Sequence, residues 1–308
     1  MKRLREPLLL TAAAALPFLL AATGNEFYTG MATRMMIFAL AATALNLVVG
    51  YGGMVAFGHA AFFGLGAYVV AILMQQGVAS GWIAWPLAAA VAAGAALLVG
   101  LASLRTRGVY FIMITLAFAQ MLYYLVLSLK DYGGDDGLPL AGRSTLAPVA
   151  LADDTVFYLV TLAVLAAALA GLRRLDAARF GRALAGIRQN ETRMEALGYP
   201  VFRLKLACFV IGGAVAGLAG ALMANQHGMA SPNQLYWTQS GMLLVMVILG
   251  GVGSRYGGLI GAVTLLGLEE ILAGYTEHAA LWVGVFLLLV VSFAPRGIAG
   301  LLAGRRHG

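Results

Sequence analysis

Charged residues are scarce in this chain of 308 residues. Asp, Glu, Lys and Arg together account for 11% of the sequence and hydrophobic residues for 61%, and the mean hydropathy is +0.88. Soluble domains carry about 25% charged residues, so the composition excludes a soluble globular protein. Residues 35–104 and 206–254 contain no charged residue at all. Because one bilayer crossing takes about 20 apolar residues, the sequence predicts an all-α polytopic membrane protein.

Groups that carry enzymatic or metal chemistry are also scarce. The one cysteine, Cys208, lies within an apolar run, which excludes an internal disulfide bond and a thiolate metal site. The three lysines, Lys2, Lys130 and Lys205, do not belong to a glycine-rich phosphate loop, so the chain is not expected to hydrolyse ATP by itself. His59 is the only ionisable residue in the middle of an apolar segment, which argues against a proton-driven carrier. We therefore expect no catalytic residue, no metal and no cofactor.

Ten apolar segments remain when the sequence is divided at its charged residues and at its clusters of Gly, Pro and Asn. They cover residues 8–23, 35–49, 54–74, 82–102, 109–129, 155–172, 206–225, 238–253, 257–272 and 279–294. Several are short for a bilayer crossing, which predicts tilted, broken or re-entrant helices. The first segment also has the basic start and the small residues of a signal peptide, and we interpret it as an uncleaved first span.

Lys and Arg lie mostly on one side of this predicted membrane topology. An even number of spans places both termini on the same side, and that side receives 17 of the 20 basic residues. Nine of the 13 acidic residues fall on the opposite side. Since basic loops stay in the cytoplasm, both termini are predicted to be cytoplasmic. The basic pI of about 9.7 then reflects topology, and no nucleic-acid partner is expected.

A glycine-rich stretch covers residues 46–68, NLVVGYGGMVAFGHAAFFGLGAY. Its glycines favour a break between two spans, because glycine permits both unusual backbone conformations and close helix packing. Asn46 and His59 flank the break, where freed backbone groups need polar partners or line a wet cavity. Two interpretations remain open: a segment beside a solute path, or tightly packed helices in which His59 bonds to a backbone carbonyl.

A basic segment over residues 173–205 is predicted to lie on the cytoplasmic side. It contains an amphipathic helical pattern that follows Gly181, with apolar positions Leu184, Ile187, Met194 and Leu197, and that Gly198 and Pro200 end. One interpretation is a membrane-surface helix whose arginines bind anionic lipid. The acidic Glu191 and Glu195 do not suit anionic lipid, so we favour a docking helix for a cytoplasmic partner.

Two further segments connect predicted spans. Residues 130–154 form an acidic, turn-rich outer loop, interpreted either as a solvated connector or as a contact for an extracytoplasmic partner. Residues 250–262, GGVGSRYGGLIGA, are predicted to form a tight turn on the inner side. A phosphate-binding GxGxxG loop is excluded there because no strand precedes it.

In several ordered blocks the sequence resembles the permease subunits of branched-chain amino-acid-type ABC importers. The blocks run from about residue 40 to residue 302 and read NLVVGYGG, FGHAAFFGLGAY, RTRGVYFIMITLAFAQ, GGDDGL, GRALAGIRQNETRMEALG, AGLAGALMA, LGGVGSRYGGLIGA and FAPRGIAGLL. The resemblance implies a single transmembrane permease domain over residues 1–308 in a bacterial inner membrane. It implies as partners a second homologous permease, two cytoplasmic ATPase subunits and an extracytoplasmic solute-binding protein, besides membrane lipid.

The resemblance also implies roles for two groups of residues. A solute path is expected beside the broken helix, along Asn46, Gly50, Met54, Ala56, Gly58, His59, Phe62 and Phe63. Coupling to an ATPase is expected at Arg182, Ile187, Arg188, Asn190, Glu191, Glu195 and Gly198. In this scheme, closure of the ATPase pair moves the coupling segment and switches the paired permeases from inward-facing to outward-facing.

One block departs from the family pattern. Where the family commonly has Gly-Gln-Leu-Ser-x-Gly-His, this chain has Met54 and Ala56 in place of the polar Gln and Ser. If these positions line the path, the solute is expected to be less polar. This admits aromatic or other hydrophobic carboxylates besides the branched-chain amino acids that the resemblance implies. The alternative is a secondary carrier or channel for a small solute such as urea or an amide.

Overall fold

The computed structural model describes residues 27–276, 278–294 and 297–302, together with residues 15 and 17. Its helices are α1 (Phe27–Asn46), α2 (His59–Gln75), α3 (Gly81–Ser103), α4 (Val109–Ser128), α5 (Asp154–Ala177), α6 (Arg179–Gln189), α7 (Glu191–Ala196), α8 (Val201–His227), α9 (Trp237–Gly250), α10 (Gly257–Ala273), α11 (Ala279–Phe293) and α12 (Gly297–Leu302). A π-helical turn, Leu47–Tyr51, extends α1. Within the described ranges the only strands are β1 (Leu138–Pro139) and β2 (Met229–Ala230), which pair antiparallel. The predicted all-α fold is confirmed.

Nine of the ten predicted spans correspond to one helix each, α1–α5 and α8–α11. Five helices are long and apolar enough to cross a membrane on length and composition, namely Phe27–Tyr51, Gly81–Ser103, Val109–Ser128, Asp154–Ala177 and Val201–His227. Helices α2, α9 and α11 are shorter apolar helices, in agreement with the expected short and broken spans. The remaining predicted span, residues 8–23, lies outside the described residues apart from residues 15 and 17.

Two spans begin earlier than predicted, because charged residues lie inside the helices and not between them. Helix α1 already begins at Phe27, and Arg34 continues it with its guanidinium carbon 5.9 Å from the centroid of the Phe38 ring. Helix α8 already begins at Val201 and includes Lys205 in its second turn. Long basic side chains near a helix end can keep their apolar stems on the helix while the charge reaches water.

Helix α8 lies at the centre of the bundle and packs against α1, α2 and α3. Its contact with α2 is made by glycines. A Cβ on Gly220 would lie 1.7 Å from the Phe63 carbonyl oxygen, and one on Gly66 would lie 1.9 Å from the Gly217 carbonyl oxygen. No larger residue fits there without separating two backbones. Small residues at helix contacts suit a membrane protein, because apolar side chains gain little by leaving lipid for a helix contact.

Ion pairs bring three basic loops together at one end of the molecule. Arg255, between α9 and α10, lies 3.3 Å from a carboxylate oxygen of Asp176 near the end of α5. Arg107, between α3 and α4, lies 3.5 Å from a carboxylate oxygen of Glu191 in α7. We call this end, which consists of residues 104–108, 173–200 and 251–256, the basic end.

The opposite end is covered by the long loop between α4 and α5, and we call it the acidic end. Strand β1 of this loop pairs with β2, which follows α8. The Ser144 N–H donates a hydrogen bond of 2.7 Å to the side-chain oxygen of Asn225, and Arg143 forms an ion pair with Asp154. The loop is therefore folded onto the ends of the helices.

Candidate functional site

The break between α1 and α2 lies inside the helix bundle. After the π-helical turn, residues 52–58 are not helical. The Phe57 N–H donates to Thr115 Oγ1 over 3.2 Å, and the Ala60 N–H donates to Ser240 Oγ over 2.9 Å. Thr115 lies about 9 Å along α4 from its first residue. Non-helical backbone at membrane depth needs such partners, so side chains of α4 and α9 satisfy the start of α2. The predicted broken helix is present.

Asn46 joins the break to the turn between α9 and α10. Its side chain is fully buried, its Nδ2 donates to the Ser254 carbonyl over 2.8 Å, and its Oδ1 accepts from the Gly253 N–H over 2.8 Å. Gly50 lies in the same contact, since a Cβ there would be 2.4 Å from both Asn46 Oδ1 and the Gly253 nitrogen. Two residues of the expected solute path thus hold the break against one loop of the basic end, the turn between α9 and α10.

The other six residues of the expected path are buried within the subunit. They are Met54, Ala56, Gly58, His59, Phe62 and Phe63. The ring centroids of His59 and Phe62 are 5.6 Å apart, and Phe62 is 5.6 Å from Phe209 of α8. His59 also lies beside Gly212, where a Cβ would be 3.3 Å from the imidazole Cε1. The structure gathers all eight residues around one break, and their role in a solute path stays a prediction.

The expected coupling helix is two helices, and this corrects the single helical pattern predicted from Gly181 to Gly198. Asn190 interrupts it with an extended backbone, φ −157°, and its Oδ1 accepts a hydrogen bond of 2.9 Å from the Arg193 N–H. An Asn side chain that accepts from the third residue of a helix is a standard N-cap. Gly198, at φ +83°, follows α7 with a backbone conformation that favours glycine.

The apolar face of α6 is directed into the protein. Leu184 and Ile187 are 1% and 2% exposed, and they pack with Leu172 of α5 and Phe209 of α8 in one apolar cluster. A helix that lies on lipid would turn these residues to the membrane instead. The arrangement therefore favours the docking interpretation over the membrane-surface interpretation.

Arg188 brings the coupling segment into contact with the break. Its guanidinium Nη1 donates to the Gly50 carbonyl oxygen. Its stem covers Gly53, where a Cβ would lie 3.2 Å from Arg188 Cγ. One residue expected to contact an ATPase therefore contacts Gly50, which is expected to border the solute path.

Glu191 is fixed within the subunit by two cations. Its carboxylate oxygens lie 2.7 Å from Lys205 Nζ and 3.5 Å from an Arg107 nitrogen. Beside this group lies a cavity of about 190 Å³, whose wall includes Met54, Val55, Phe111, Arg107, Glu191 and Lys205. A residue of the expected path and a residue of the expected coupling group therefore line the same space.

The outer surface of the coupling segment remains open. Arg182 is exposed and donates to the Ala177 carbonyl over 2.8 Å, and the Glu195 side chain is half exposed. Leu197 and Tyr199, which follow α7, are 64% and 47% exposed. Leu197 and Tyr199 are therefore the apolar groups that this open surface offers to a partner.

Sequence reasoning did not identify Thr115, Ser240 or Lys205 as parts of this site. Thr115 and Ser240 are single hydroxyls in apolar helices, and nothing in their neighbourhood along the chain signals the backbone groups that they bond. Lys205 ends the basic segment in the sequence, and nothing there signals its ion pair with Glu191. Among the described residues, no group of three or more His, Cys, Asp or Glu side chains is placed to hold a metal ion.

Comparison with known proteins gives consistent matches over almost the whole chain. Residues 27–294 match the protein family described as "Branched-chain amino acid transport system / permease component". The chain is 31% identical over 314 residues to the high-affinity branched-chain amino acid transport system permease protein LivM of Salmonella typhimurium, covering 94% of this chain and 73% of that protein. It is 30% identical to LivM of Escherichia coli K12 with the same coverage.

A second permease of the same named system is also similar. The high-affinity branched-chain amino acid transport system permease protein LivH of Escherichia coli K12 is 27% identical over 302 residues, which cover 90% of this chain and 95% of that protein. No solved structure matches the chain.

Proposed function

The chain belongs to the family of branched-chain amino acid transport system permease components. On this premise we propose that it is one of two homologous permeases that together enclose the solute path of an ATP-driven importer. Similarity to both LivM and LivH supports this arrangement, because Escherichia coli K12 has two permease proteins that carry the name of one transport system. The chain is a multi-pass membrane protein and a transport subunit, with helices that suit a membrane span by length and composition.

In this proposal the energy comes from two separate cytoplasmic ATPase subunits. They bind at the basic end, on the outer surface of α6 and α7. The exposed Leu197 and Tyr199 carry this proposal, because the other side of the segment is already occupied by contacts within the chain through Leu184 and Ile187. The absence of a phosphate loop from the sequence is in keeping with ATP hydrolysis by other chains.

The basic end faces the cytoplasm in this arrangement, and the protein lies in a bacterial inner membrane with both termini inside. The positive-inside rule supports the orientation, since the three loops of the basic end carry most of the arginines. A solute-binding protein docks at the acidic end, where the folded loop between α4 and α5 offers an ordered surface.

The proposed solutes are branched-chain amino acids or related hydrophobic or aromatic carboxylates. The names of the relatives support the amino acids. Met54, at the wall of the cavity, supports an apolar solute, because a thioether offers a passing hydroxyl or amide only a weak acceptor.

Reconstitution in proteoliposomes tests the proposal. The chain is purified with a second, homologous permease and two ATPase subunits. Uptake of radiolabelled leucine into the vesicles is then measured with the binding protein on one side of the membrane and ATP on the other. We expect leucine uptake that needs ATP, the binding protein and all subunits. Vesicles with this chain alone are the control, and we expect no uptake there under a proton or sodium gradient.

Uptake by the chain alone, driven by an ion gradient, would instead identify a secondary carrier. Passive flux of urea or an amide through the chain alone would identify a channel. Either result overturns the proposal.

A further inference from the structure

The carbonyl of Gly50 is released by the helix break. In a continuous α-helix it would accept from the Met54 N–H, four residues on. Here the Met54 N–H bonds to the Val48 carbonyl over 3.1 Å, and the Gly52 N–H bonds to the Leu47 carbonyl over 3.0 Å. This wider winding leaves the Gly50 oxygen to Arg188, whose Nη1 donates to it.

A cation is well suited to this position. The last carbonyls of a helix carry partial negative charge, and a cation near them is stabilised. A hydrogen bond from a charged donor is also stronger than one between neutral groups. The contact is therefore more than packing between two loops.

The Arg188 guanidinium can reach the Gly50 carbonyl oxygen only because three glycines leave space around it. Gly50 and Gly53 belong to the break and Gly253 to the turn between α9 and α10. A Cβ on Gly53 would lie 3.2 Å from Arg188 Cγ, and one on Gly253 would lie 2.8 Å from Arg188 Nη1. Side chains at these positions would displace the arginine from the carbonyl.

The residues on both sides of Arg188 are fixed by contacts with the helix bundle. Ile187, the neighbouring residue, is 2% exposed in the apolar cluster beneath α6. Glu191, at the start of α7, pairs with Lys205 of α8 over 2.7 Å. A displacement of α6 therefore displaces the guanidinium and the carbonyl that it holds.

From these contacts we infer that Arg188 is a positioning residue that transmits movement of the coupling segment to the broken helix through the Gly50 carbonyl. The inference rests on the proposed function. Residues 52–58 are held at one end through Gly50 by Arg188, and at the other end by Thr115 and Ser240. A displacement of Gly50 by Arg188 changes the path of residues 52–58, and with it the shape of the cavity that Val55 lines.

The test uses the complete importer in proteoliposomes with Arg188→Met and Arg188→Lys. The matched control is Arg105→Met, which removes an exposed arginine from the loop between α3 and α4, outside α6 and α7. Three quantities are measured: binding of the ATPase subunits, leucine transported per ATP hydrolysed, and the ATP-dependent change in maleimide labelling of a Val55→Cys reporter. Val55 is 39% exposed and the native Cys208 is fully buried, so labelling reports position 55.

With Arg188→Met we expect normal binding of the ATPase subunits. Transport per ATP should fall about tenfold, the order that the loss of a charge-assisted hydrogen bond produces, and the ATP-dependent change in labelling should be lost. Arg188→Lys, which keeps one charged donor, should lie between this variant and the wild type. Arg105→Met should behave as the wild type.

Wild-type values for transport per ATP and labelling in Arg188→Met would overturn the inference. Loss of ATPase binding in Arg188→Met would also overturn it, because Arg188 would then be a docking residue. If Arg188→Met does not accumulate in the membrane, Arg188→Lys decides by the same two readouts. Failure of the proposed function is distinguishable, since the wild-type importer itself would then show no ATP-driven uptake.

Discussion

The side-chain oxygen of Asn46 accepts a hydrogen bond of 2.8 Å from the backbone N–H of Gly253, 207 residues further along the chain. The side-chain nitrogen of Asn46 donates to the carbonyl of Ser254, the residue that follows Gly253. One buried side chain thus satisfies a donor and an acceptor of a turn that belongs to another pair of helices. The break after α1 and the turn before α10 form one structural unit.

Replacement of Asn46 is therefore expected to destabilise the subunit. Asn46→Ala leaves the partly buried Gly253 N–H without its acceptor, at a cost of about 1–3 kcal/mol, and removes one of the two donors to the Ser254 carbonyl, which keeps the Gly257 N–H. Asn46→Asp keeps the acceptor for Gly253 but sets a carboxylate against the Ser254 carbonyl, so it should also destabilise. Thermal unfolding of the purified subunit in detergent measures the effect. Gln76→Ala, at an exposed amide at the acidic end, is the control and should leave the unfolding temperature unchanged.

The glycine contact between α2 and α8 makes a second prediction. Gly220→Ala places a methyl group 1.7 Å from the Phe63 carbonyl oxygen, and a backbone cannot rotate away as a side chain can. The loss should exceed the 1–3 kcal/mol that is typical of overpacked cores, so folded subunit should disappear from size-exclusion profiles. Gly94→Ala, in α3, meets nothing within 4 Å and should give a wild-type profile. Equal profiles for the two variants would contradict the described packing.

The exposed residues after α7 are expected to bind the ATPase subunits. Leu197→Ser with Tyr199→Ser removes the apolar contact area while leaving the buried face of α6 intact. Co-purification of the ATPases should fall at least about tenfold, since deletion of central contact residues commonly costs more than 1 kcal/mol each. The unfolding temperature of the isolated subunit should not change. Undiminished co-purification would place the docking surface elsewhere.

Charge reversal at Glu191 is expected to abolish transport while the chain still inserts into the membrane. Glu191→Lys gathers three cations, with Lys205 and Arg107, around one partly buried site. Adding Lys205→Glu restores an opposite pair, and we expect partial recovery of leucine uptake. Glu195→Lys should have a weaker effect on the fold, because Glu195 is half exposed and 3.7 Å from Arg107. No recovery in the double variant would indicate that Glu191 acts through a partner chain.

Polar replacements at the break are expected to change solute preference. Met54→Gln with Ala56→Ser restores the polar residues that the family pattern commonly has at these positions. If they border the path, uptake of threonine relative to leucine should rise, and competition assays with both amino acids measure the ratio. Ala71→Ser, at a fully buried position of α2 outside the expected path, is the control for general disturbance of the packing. An unchanged ratio in the double variant removes these two residues from the path.

The positions of the spans could be predicted because they depend on local properties of the chain. A run of apolar residues long enough for a bilayer can be recognised from sequence alone, and nine predicted segments correspond to helices. A charged residue is a poor marker of a helix boundary, because a helix can continue through it, as α1 continues through Arg34. The division of the coupling segment at Asn190 was missed because apolar residues continue at helical spacing on both sides of the cap.

The contacts of the candidate site could not be predicted in the same way. Asn46, Arg188 and Glu191 were selected as residue types in suggestive places. Their partners are a glycine carbonyl, a turn and a lysine from distant segments, and only the packing of the helices brings these groups together. Backbone acceptors such as the Gly50 carbonyl have no sequence signature at all.

The backbone contact between α2 and α8 limits how this subunit can change shape. Flexible side chains between two helices act as a soft layer that lets one slide along the other, and at Gly66 and Gly220 that layer is missing. The two helices are therefore expected to move as one rigid unit. Changes in shape must then occur in the segments between helices, such as residues 52–58. The same glycines that make the centre of the bundle rigid therefore confine movement to these segments.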